Sequence, residues 1–215
     1  MAENQDSKII ALAYIKKQII TCALPPGTAV PIDEIAQQLG LSKTPVREAL
    51  QELQYENYVT VFPRKKTVVS RISLKDLEYI YEARALNEIA ILSRLTPEDI
   101  NAHLEELTEL RRTWADLPVI ANDKDSYMAF LDRDIQFHIQ LVNLSQNPHL
   151  IHFCTELIFK SERFWYMALF NNRTETVKKE HLMILDALLA GDTAAAAASA
   201  QKHITVSKAL SIMSD

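Results

Sequence analysis

The sequence predicts a mostly α-helical protein in two parts, a winged helix-turn-helix in front and an all-α antiparallel helical bundle behind. Only three glycines occur in 215 residues, which leaves little material for a β-rich protein or a glycine-rich phosphate loop. Apolar residues recur at helical spacing along most of the chain. The exceptions are two short β-branched runs, 58–62 and 67–70, which predict a pair of strands.

The composition is that of an ordinary globular protein, with 48% hydrophobic and 24% charged residues. Cys22 and Cys154 have no neighbouring cysteine, so the sequence indicates neither a disulfide framework nor a zinc knuckle. It contains no signal peptide and no apolar run long enough to span a bilayer. We therefore expect a cytoplasmic protein that makes no use of a membrane.

The net charge of −5 is unevenly divided along the chain. Residues 1–72 hold nine Lys and Arg against seven Asp and Glu, whereas the remainder holds 14 against 21. A mildly basic front joined to an acidic back suits a nucleic-acid reader that carries a second domain. We place the division at 72/73, with a candidate DNA-binding domain over 1–72 and an all-helical domain over 73–215.

Two short helices joined by a tight turn are predicted in the first domain. An apolar helix over 7–22 precedes a second helix over 31–39, which ends at Gly40. Ser42 is then expected to cap a third helix with its hydroxyl, and Pro45 lies in the first turn, where a missing backbone N–H costs nothing. The second and third helices match a helix-turn-helix.

The third helix and the hairpin that follows it both present cations. Lys43, Thr44 and Arg47 lie near the N-terminal end of the helix, where Arg or Lys reaches guanine or phosphate and Thr reaches phosphate. The turn 63–66 places three consecutive cations at the tip of a wing, close to phosphates or a minor groove. A capped surface helix and a solvated hairpin tip are the simpler alternatives. The cationic hairpin, however, follows the cationic helix at the distance expected of a wing, and this arrangement favours DNA binding.

The rest of the chain is predicted to be helical, with short loops that favour an antiparallel bundle. Six helices are expected, over about 73–94, 97–114, 123–144, 148–170, 173–189 and 192–213.

Four side chains that bind metals well lie on the apolar faces of three of these helices. Asp134 and His138 are one helical turn apart, whereas His181 and His203 lie on the last two helices. One inward histidine is most often a satisfied core residue, but four imidazole and carboxylate groups on three apolar faces are better explained by a shared metal ion. Three nitrogens and one oxygen suit zinc, with nickel or manganese as alternatives.

The N-terminal motifs resemble a known family. Pro25-Pro26-Gly27, Glu34-Ile35-Ala36 and the run from Gly40 to Leu50 are similar to the winged helix of GntR-family transcriptional regulators, over roughly 8–71. Asn57 stands where that family usually has a glycine before the wing. The resemblance implies DNA contacts from Ser42, Lys43, Thr44, Arg47, Arg64, Lys65 and Lys66.

The resemblance continues through roughly 73–215, where Asp134-Ile135-Gln136-Phe137-His138 and the two later histidines are similar to the metal-binding FCD domain of the FadR subfamily. It implies a homodimer, a small organic or sugar acid as effector, and a divalent cation held by Asp134, His138, His181 and His203. Arg84 occupies the position of an arginine common in the first helix of that domain. Its guanidinium either clamps the effector carboxylate or forms a helix-surface ion pair with Glu88.

These inferences favour an effector-responsive transcription regulator, most simply a repressor, whose dimer binds a pseudo-palindromic operator. The rival from another class is a metal-dependent enzyme on a helical bundle. Such an enzyme needs a general acid or base beside its metal, and the sequence predicts no inward glutamate or second carboxylate beside the four ligands. A third possibility is a metal ion that only stabilises the bundle.

Overall fold

The computed structural model describes residues 2–62, 66–71, 73–118, 124–168 and 173–213. The chain divides into an N-terminal unit, Met1–Ser73, and a C-terminal unit, Leu74–Asp215. This boundary lies one residue after the division placed on the sequence.

The N-terminal unit contains three helices and one antiparallel hairpin. Helix α1 begins five residues earlier than predicted and ends two residues earlier. The two strands of the hairpin pair in the register Val59↔Val69 to Phe62↔Lys66. The elements are α1 (Ala2–Ile20), α2 (Ile32–Leu39), α3 (Lys43–Tyr55), β1 (Val59–Phe62) and β2 (Lys66–Val69).

A stretch before α2 adds an unpredicted third partner to the hairpin. The Val30 amide donates to the Thr67 carbonyl over 2.9 Å, and the Val69 amide donates to the Thr28 carbonyl over 2.9 Å. Ala29 forms an isolated antiparallel bridge with Val68. The hairpin is thereby tied to the segment that leads into the helix-turn-helix.

The turn between α2 and α3 departs from the sequence prediction at its cap. Gly40 ends α2 in a left-handed conformation with φ 65°. Ser42 occupies the N-cap position of α3, but its side chain makes no capping hydrogen bond, so that prediction is wrong. Pro45, the third residue of the helix, has no N–H, so Thr44 retains the only one of the two amides from which an N-cap side chain accepts.

The residue before the hairpin explains how this chain does without the usual glycine. Asn57 has φ 64°, in the left-handed region that glycine adopts readily. Asparagine is among the few other residues that occupy this region often. Asn57 can therefore adopt the left-handed conformation before β1 that a glycine would adopt.

The C-terminal unit has seven helices among its described residues, not the six predicted. The interval 97–114 is two helices, because the backbone leaves the helical conformation at His103, with φ −113° and ψ 15°. The His103 Nδ1 donates to the Asp99 carbonyl at 2.9 Å and so satisfies a group at the end of the first one. The helices are α4 (Leu74–Arg94), α5 (Pro97–Ala102), α6 (Leu104–Ala115), α7 (Lys124–Asn143), α8 (Pro148–Ala168), α9 (Thr174–Leu189) and α10 (Thr193–Met213).

The core of the C-terminal unit is mostly apolar, with a group of buried polar side chains near the middle of α10. Trp114, Phe130, Phe137 and Leu185 belong to one buried cluster that also includes the small residues of α10. Helix α10 packs against α4 and α9, where alanines permit close approach. Across the described residues, no helix is long and apolar enough to cross a membrane.

Replacement of Gly40 by alanine is expected to destabilise the N-terminal unit by about 1 kcal/mol, because alanine is strained at positive φ. Among the described residues, no heavy atom beyond the immediate neighbours lies within 4 Å of the position of an added Cβ, so the cost comes from the backbone alone. Gly40→Asn is the matched control and should cost less. Hydrogen exchange of the α3 amides measures the difference, and equal protection in all three proteins would contradict this prediction.

Candidate functional site

The structure brings the four sequence-predicted metal ligands together inside the C-terminal unit. Helix α7 contributes Asp134 and His138, α9 contributes His181, and α10 contributes His203. One ligand atom from each lies within 4.8 Å of all the others. The four residues are between 0% and 7% exposed, so the cluster is enclosed by protein.

The atoms that face each other are all of the kind that binds a cation. The Nε2 atom of His203 lies 3.2 Å from Nε2 of His138 and 3.4 Å from Nε2 of His181. Nε2 of His181 lies 3.3 Å from the Oδ1 atom of Asp134. Three ring nitrogens and one carboxylate oxygen therefore surround a single point.

Two glutamates, the buried Glu88 and the half-buried Glu180, determine which ring nitrogens carry hydrogen. The Nδ1 atom of His138 donates to Glu88 Oε2 over 2.9 Å, and Nδ1 of His203 donates to Glu180 Oε2 over 2.8 Å. Because an ionised carboxylate only accepts hydrogen bonds, Nδ1 holds the hydrogen in the neutral form of either ring. Each Nε2 atom then directs a lone pair toward the other, an arrangement that a bound cation stabilises.

Burial keeps the imidazoles of His138 and His181 in the form that can bind a metal. Desolvation lowers the pKa of His138, against the attraction of Glu88. Desolvation also lowers the pKa of His181 well below its usual value, and the neighbouring His203 and His138 lower it further. Metal ligation requires neutral imidazole, so both rings are ready to bind near neutral pH.

The two glutamates are themselves paired with arginines. Arg84 Nε donates to Glu88 Oε1 over 2.7 Å, and Arg173 Nη2 donates to Glu180 Oε1 over 2.7 Å. Burial alone would raise the pKa of Glu88, but the charge of Arg84 and the contact with His138 lower it to about 2. Burial would also raise the pKa of Glu180, but the hydrogen bond from His203 and the charge of Arg173 outweigh burial and lower this pKa. Both groups are carboxylates at neutral pH.

These pairs correct two sequence predictions. The expectation of no inward glutamate or second carboxylate beside the ligands is wrong, because Glu88 and Glu180 both contact them. The Arg84–Glu88 ion pair exists, but it is buried rather than on the helix surface, with side-chain exposures of 1% and 2%. The sequence signal that could have predicted the burial of Glu88 was its spacing. Glu88 continues the buried helical stripe of Leu77, Tyr81 and Arg84 on α4.

His181 is held differently from the other two histidines. Its ring stacks on Phe137 with centroids 3.7 Å apart, and Trp114 meets it edge-on at 4.3 Å. Among the described residues, neither its Nδ1 atom nor Oδ1 of Asp134 has a hydrogen-bond partner. Buried polar atoms rarely stay unpartnered. A cation at the centre of the cluster would satisfy the Asp134 oxygen.

A third unpartnered polar atom belongs to Tyr127, which lies within electrostatic reach of Asp134. The Tyr127 hydroxyl on α7 is buried without a hydrogen-bond partner among the described residues. Burial, and then the negative charge of Asp134, raise the pKa of Tyr127. The phenol therefore stays protonated and offers a donor near the cluster.

The predicted DNA contacts lie in the N-terminal unit. Ser42, Thr44 and Arg47 are exposed at the start of α3, and Lys66 is exposed at the start of β2. Lys43 Nζ forms an exposed ion pair with Asp33 Oδ2 over 2.9 Å. Arg64 and Lys65 lie outside the described residues.

A helix-turn-helix with a hairpin and a helical domain with a buried ligand cluster are together the parts of a one-chain DNA-binding regulator. Residues 11–69 match the family model for bacterial regulatory proteins of the gntR family, and residues 79–206 match the FCD domain. The chain therefore belongs to the GntR family and carries an FCD domain, which confirms the resemblance to the FadR subfamily found in the sequence.

Two relatives agree with this assignment. An HTH-type transcriptional regulator of Agrobacterium vitis is 35% identical over 135 residues, which cover 62% of this chain and 78% of the relative. A protein named as a probable D-xylose utilization operon transcriptional repressor of Paenarthrobacter nicotinovorans is 29% identical over 191 residues, which cover 89% of this chain and 82% of the relative. With the family matches, they show that the chain is a DNA-binding transcription regulator and not an enzyme.

Two solved structures share the fold. E. coli McbR/YncC has a TM-score of 0.70 at 22% identity, over 96% of this chain and 97% of that one. The Zn²⁺-bound FCD domain of TM0439 has a TM-score of 0.52 at 20% identity, over 67% of this chain and 96% of that one. At these identities the likeness concerns the fold.

Proposed function

We propose that this regulator holds a divalent cation at Asp134, His138, His181 and His203, and that a small carboxylate effector acts through this site to change operator affinity. The observation that carries the proposal is the convergence of three Nε2 atoms and a carboxylate oxygen in the protein interior. Such donors repel one another when no cation lies between them.

Zinc is the proposed cation, with nickel and manganese as alternatives, because three imidazoles and one carboxylate suit each of them. The similar FCD domain of TM0439 was solved with Zn²⁺ bound, which supports the first choice. The ion would supply a positive centre, to which an effector oxygen could add as a fifth donor, since zinc sites can expand to five-coordinate.

The charges around the cluster favour an anion as effector. With Arg84, Arg173 and a divalent cation opposed to Asp134, Glu88 and Glu180, one positive charge remains in excess. In a buried setting this excess attracts a carboxylate. The protonated Tyr127 hydroxyl adds a donor for a polar group of the effector.

Arg84 remains the proposed effector-binding residue, but in a changed role. Its guanidinium is 1% exposed and already donates to Glu88. Its charge therefore acts on an anion at the cluster while the pair with Glu88 is kept. We propose that an effector carboxylate is attracted by this charge and by the ion together.

The proposed DNA contacts are Ser42, Lys43, Thr44 and Arg47 on α3, with Arg64, Lys65 and Lys66 on the wing. A homodimer would place two such surfaces on the half-sites of a pseudo-palindromic operator. Repression is the simplest consequence of binding there. An effector changes this binding only if it favours one arrangement of the dimer over another.

His138→Ala is expected to lower the zinc bound per chain, because it removes one of four donors. Elemental analysis after dialysis against dilute Zn²⁺ measures this. His152→Ala is the matched control, since His152 is an exposed histidine on α8 and should leave the zinc content unchanged. Equal zinc content in the wild type and His138→Ala would contradict the ligand assignment.

Arg47→Ala is expected to weaken operator binding by about 1–3 kcal/mol, as is typical for a lost base or phosphate contact. Fluorescence anisotropy with a labelled promoter fragment gives the affinity. Arg112→Ala, which removes an exposed arginine from the C-terminal unit, is the control for general loss of positive charge. Equal losses in the two variants would argue against a specific role for α3.

Operator affinity of the zinc-loaded protein is expected to change at least several-fold with one member of a panel of organic and sugar acids. The zinc-free protein should not respond, because its cluster lacks the positive centre. Circular dichroism after chelation separates sensing from a purely structural ion: retained helicity with a lost response supports sensing, and lost helicity supports structure. A zinc-loaded protein that ignores the whole panel would contradict the proposed effector class.

A further inference from the structure

We infer that Arg84–Glu88 and Arg173–Glu180 are two positioning pairs, which hold His138 and His203 with their Nε2 lone pairs directed at the cation site and thereby set its affinity. This inference rests on the proposed function, since it concerns the same site. It assigns roles to three residues, Glu88, Arg173 and Glu180, that are not themselves ligands.

The first pair is entirely buried on α4 and contacts a histidine of a second helix. On α4, Arg84 donates to Glu88 through Nε over 2.7 Å and through Nη2 over 3.4 Å. The same carboxylate accepts the His138 Nδ1 hydrogen bond from α7 over 2.9 Å. The guanidinium thus orients the carboxylate, and the carboxylate orients the ring.

The second pair repeats this chemistry on other helices. At the start of α9, Arg173 Nη2 donates to Glu180 at 2.7 and 2.9 Å. Glu180 in turn accepts from His203 Nδ1, on α10, over 2.8 Å. Arg173 also contacts α10 directly, with Nη1 3.4 Å from the Ser207 hydroxyl oxygen.

Two features distinguish these pairs from ordinary surface ion pairs. Each glutamate binds an arginine and a histidine at once, whereas the exposed Glu109 is bonded through both oxygens to Arg112. Their side chains are also little exposed, at 1–2% for the first pair and 14–15% for the second, against 58–69% for Arg112 and Glu109. Carboxylates that hold the second nitrogen of a ligating histidine fix its tautomer and raise its basicity.

His181 provides an internal contrast, because ring packing holds it in place of a carboxylate. Its position depends on Phe137 and Trp114, and its Nδ1 atom has no hydrogen-bond partner among the described residues. The site therefore combines two histidines of fixed tautomer with one whose tautomer is left to the cation.

The test uses the full chain and Zn²⁺, with affinity measured by competition against a chromogenic chelator. Glu180 is the position of choice because its side chain is 14% exposed and tolerates change better than the 2%-exposed Glu88. Glu180→Ala is expected to weaken Zn²⁺ binding about 10–100-fold. Glu180→Gln should lose less, because its amide oxygen still accepts from Nδ1.

Arg173→Met should weaken Zn²⁺ binding less than Glu180→Ala, and the double variant should bind no more weakly than Glu180→Ala alone, since Arg173 acts through Glu180. The exposed pair supplies matched controls, Arg112→Met and Glu109→Ala, which should bind as the wild type does. Thermal unfolding of the zinc-free proteins is the check that each variant is folded.

Nitrogen NMR of the zinc-free wild type is a second readout, independent of zinc and of any substitution. It should show His138 and His203 with hydrogen on Nδ1. Hydrogen on Nε2 of either ring, unchanged Zn²⁺ affinity in Glu180→Ala, or additive losses in the double variant would each overturn the inference. A wild type that binds no Zn²⁺ would instead contradict the proposed function, and the NMR result would still decide the tautomers.

Discussion

The C-terminal unit depends on the need to satisfy polar groups that its helices bring into an apolar interior. Leaving a buried charge unpaired costs about 3–5 kcal/mol, a large share of the about 5–15 kcal/mol by which proteins are stable. Arg84 and Glu88, each almost fully buried, pair with each other, and Glu88 also accepts a hydrogen bond from His138. Removing one member would leave an uncompensated charge, so the network constrains how α4 and α7 can pack.

The periodicity of the sequence placed an aspartate and three histidines on apolar helix faces, and the structure brings these four side chains together. Their assignment as metal ligands also draws on the family resemblance and stays a prediction. Periodicity was insufficient for Glu88, since a glutamate one turn from an arginine is usually an exposed partner. The burial of that pair depends on α7 and α10, which the local pattern of α4 does not contain. Whether such an ion pair is exposed or buried is decided by helices that come together from distant parts of the chain.

Local rules failed in the same way at two smaller features. Ser42 has the residue type and position of a cap, yet Pro45 takes away a donor that the cap would serve. The predicted single helix after Pro97 breaks at His103, whose ring bonds to the preceding turn. The hairpin was predicted correctly because its β-branched runs are short and bounded by turn residues. Its pairing with Thr28 and Val30 is non-local, so the local sequence pattern did not predict it.

The ion pair between Lys43 and Asp33 has a consequence for how the regulator depends on ionic strength. In the free protein this lysine is already neutralised by a neighbour on α2 rather than by dissolved anions. Under the proposed DNA contact, a phosphate would replace Asp33 as the partner of Lys43, and the released carboxylate would take up a cation from solution. That uptake would oppose the release of counterions from DNA, so we expect the salt sensitivity of this surface to be weaker than its number of lysines and arginines suggests.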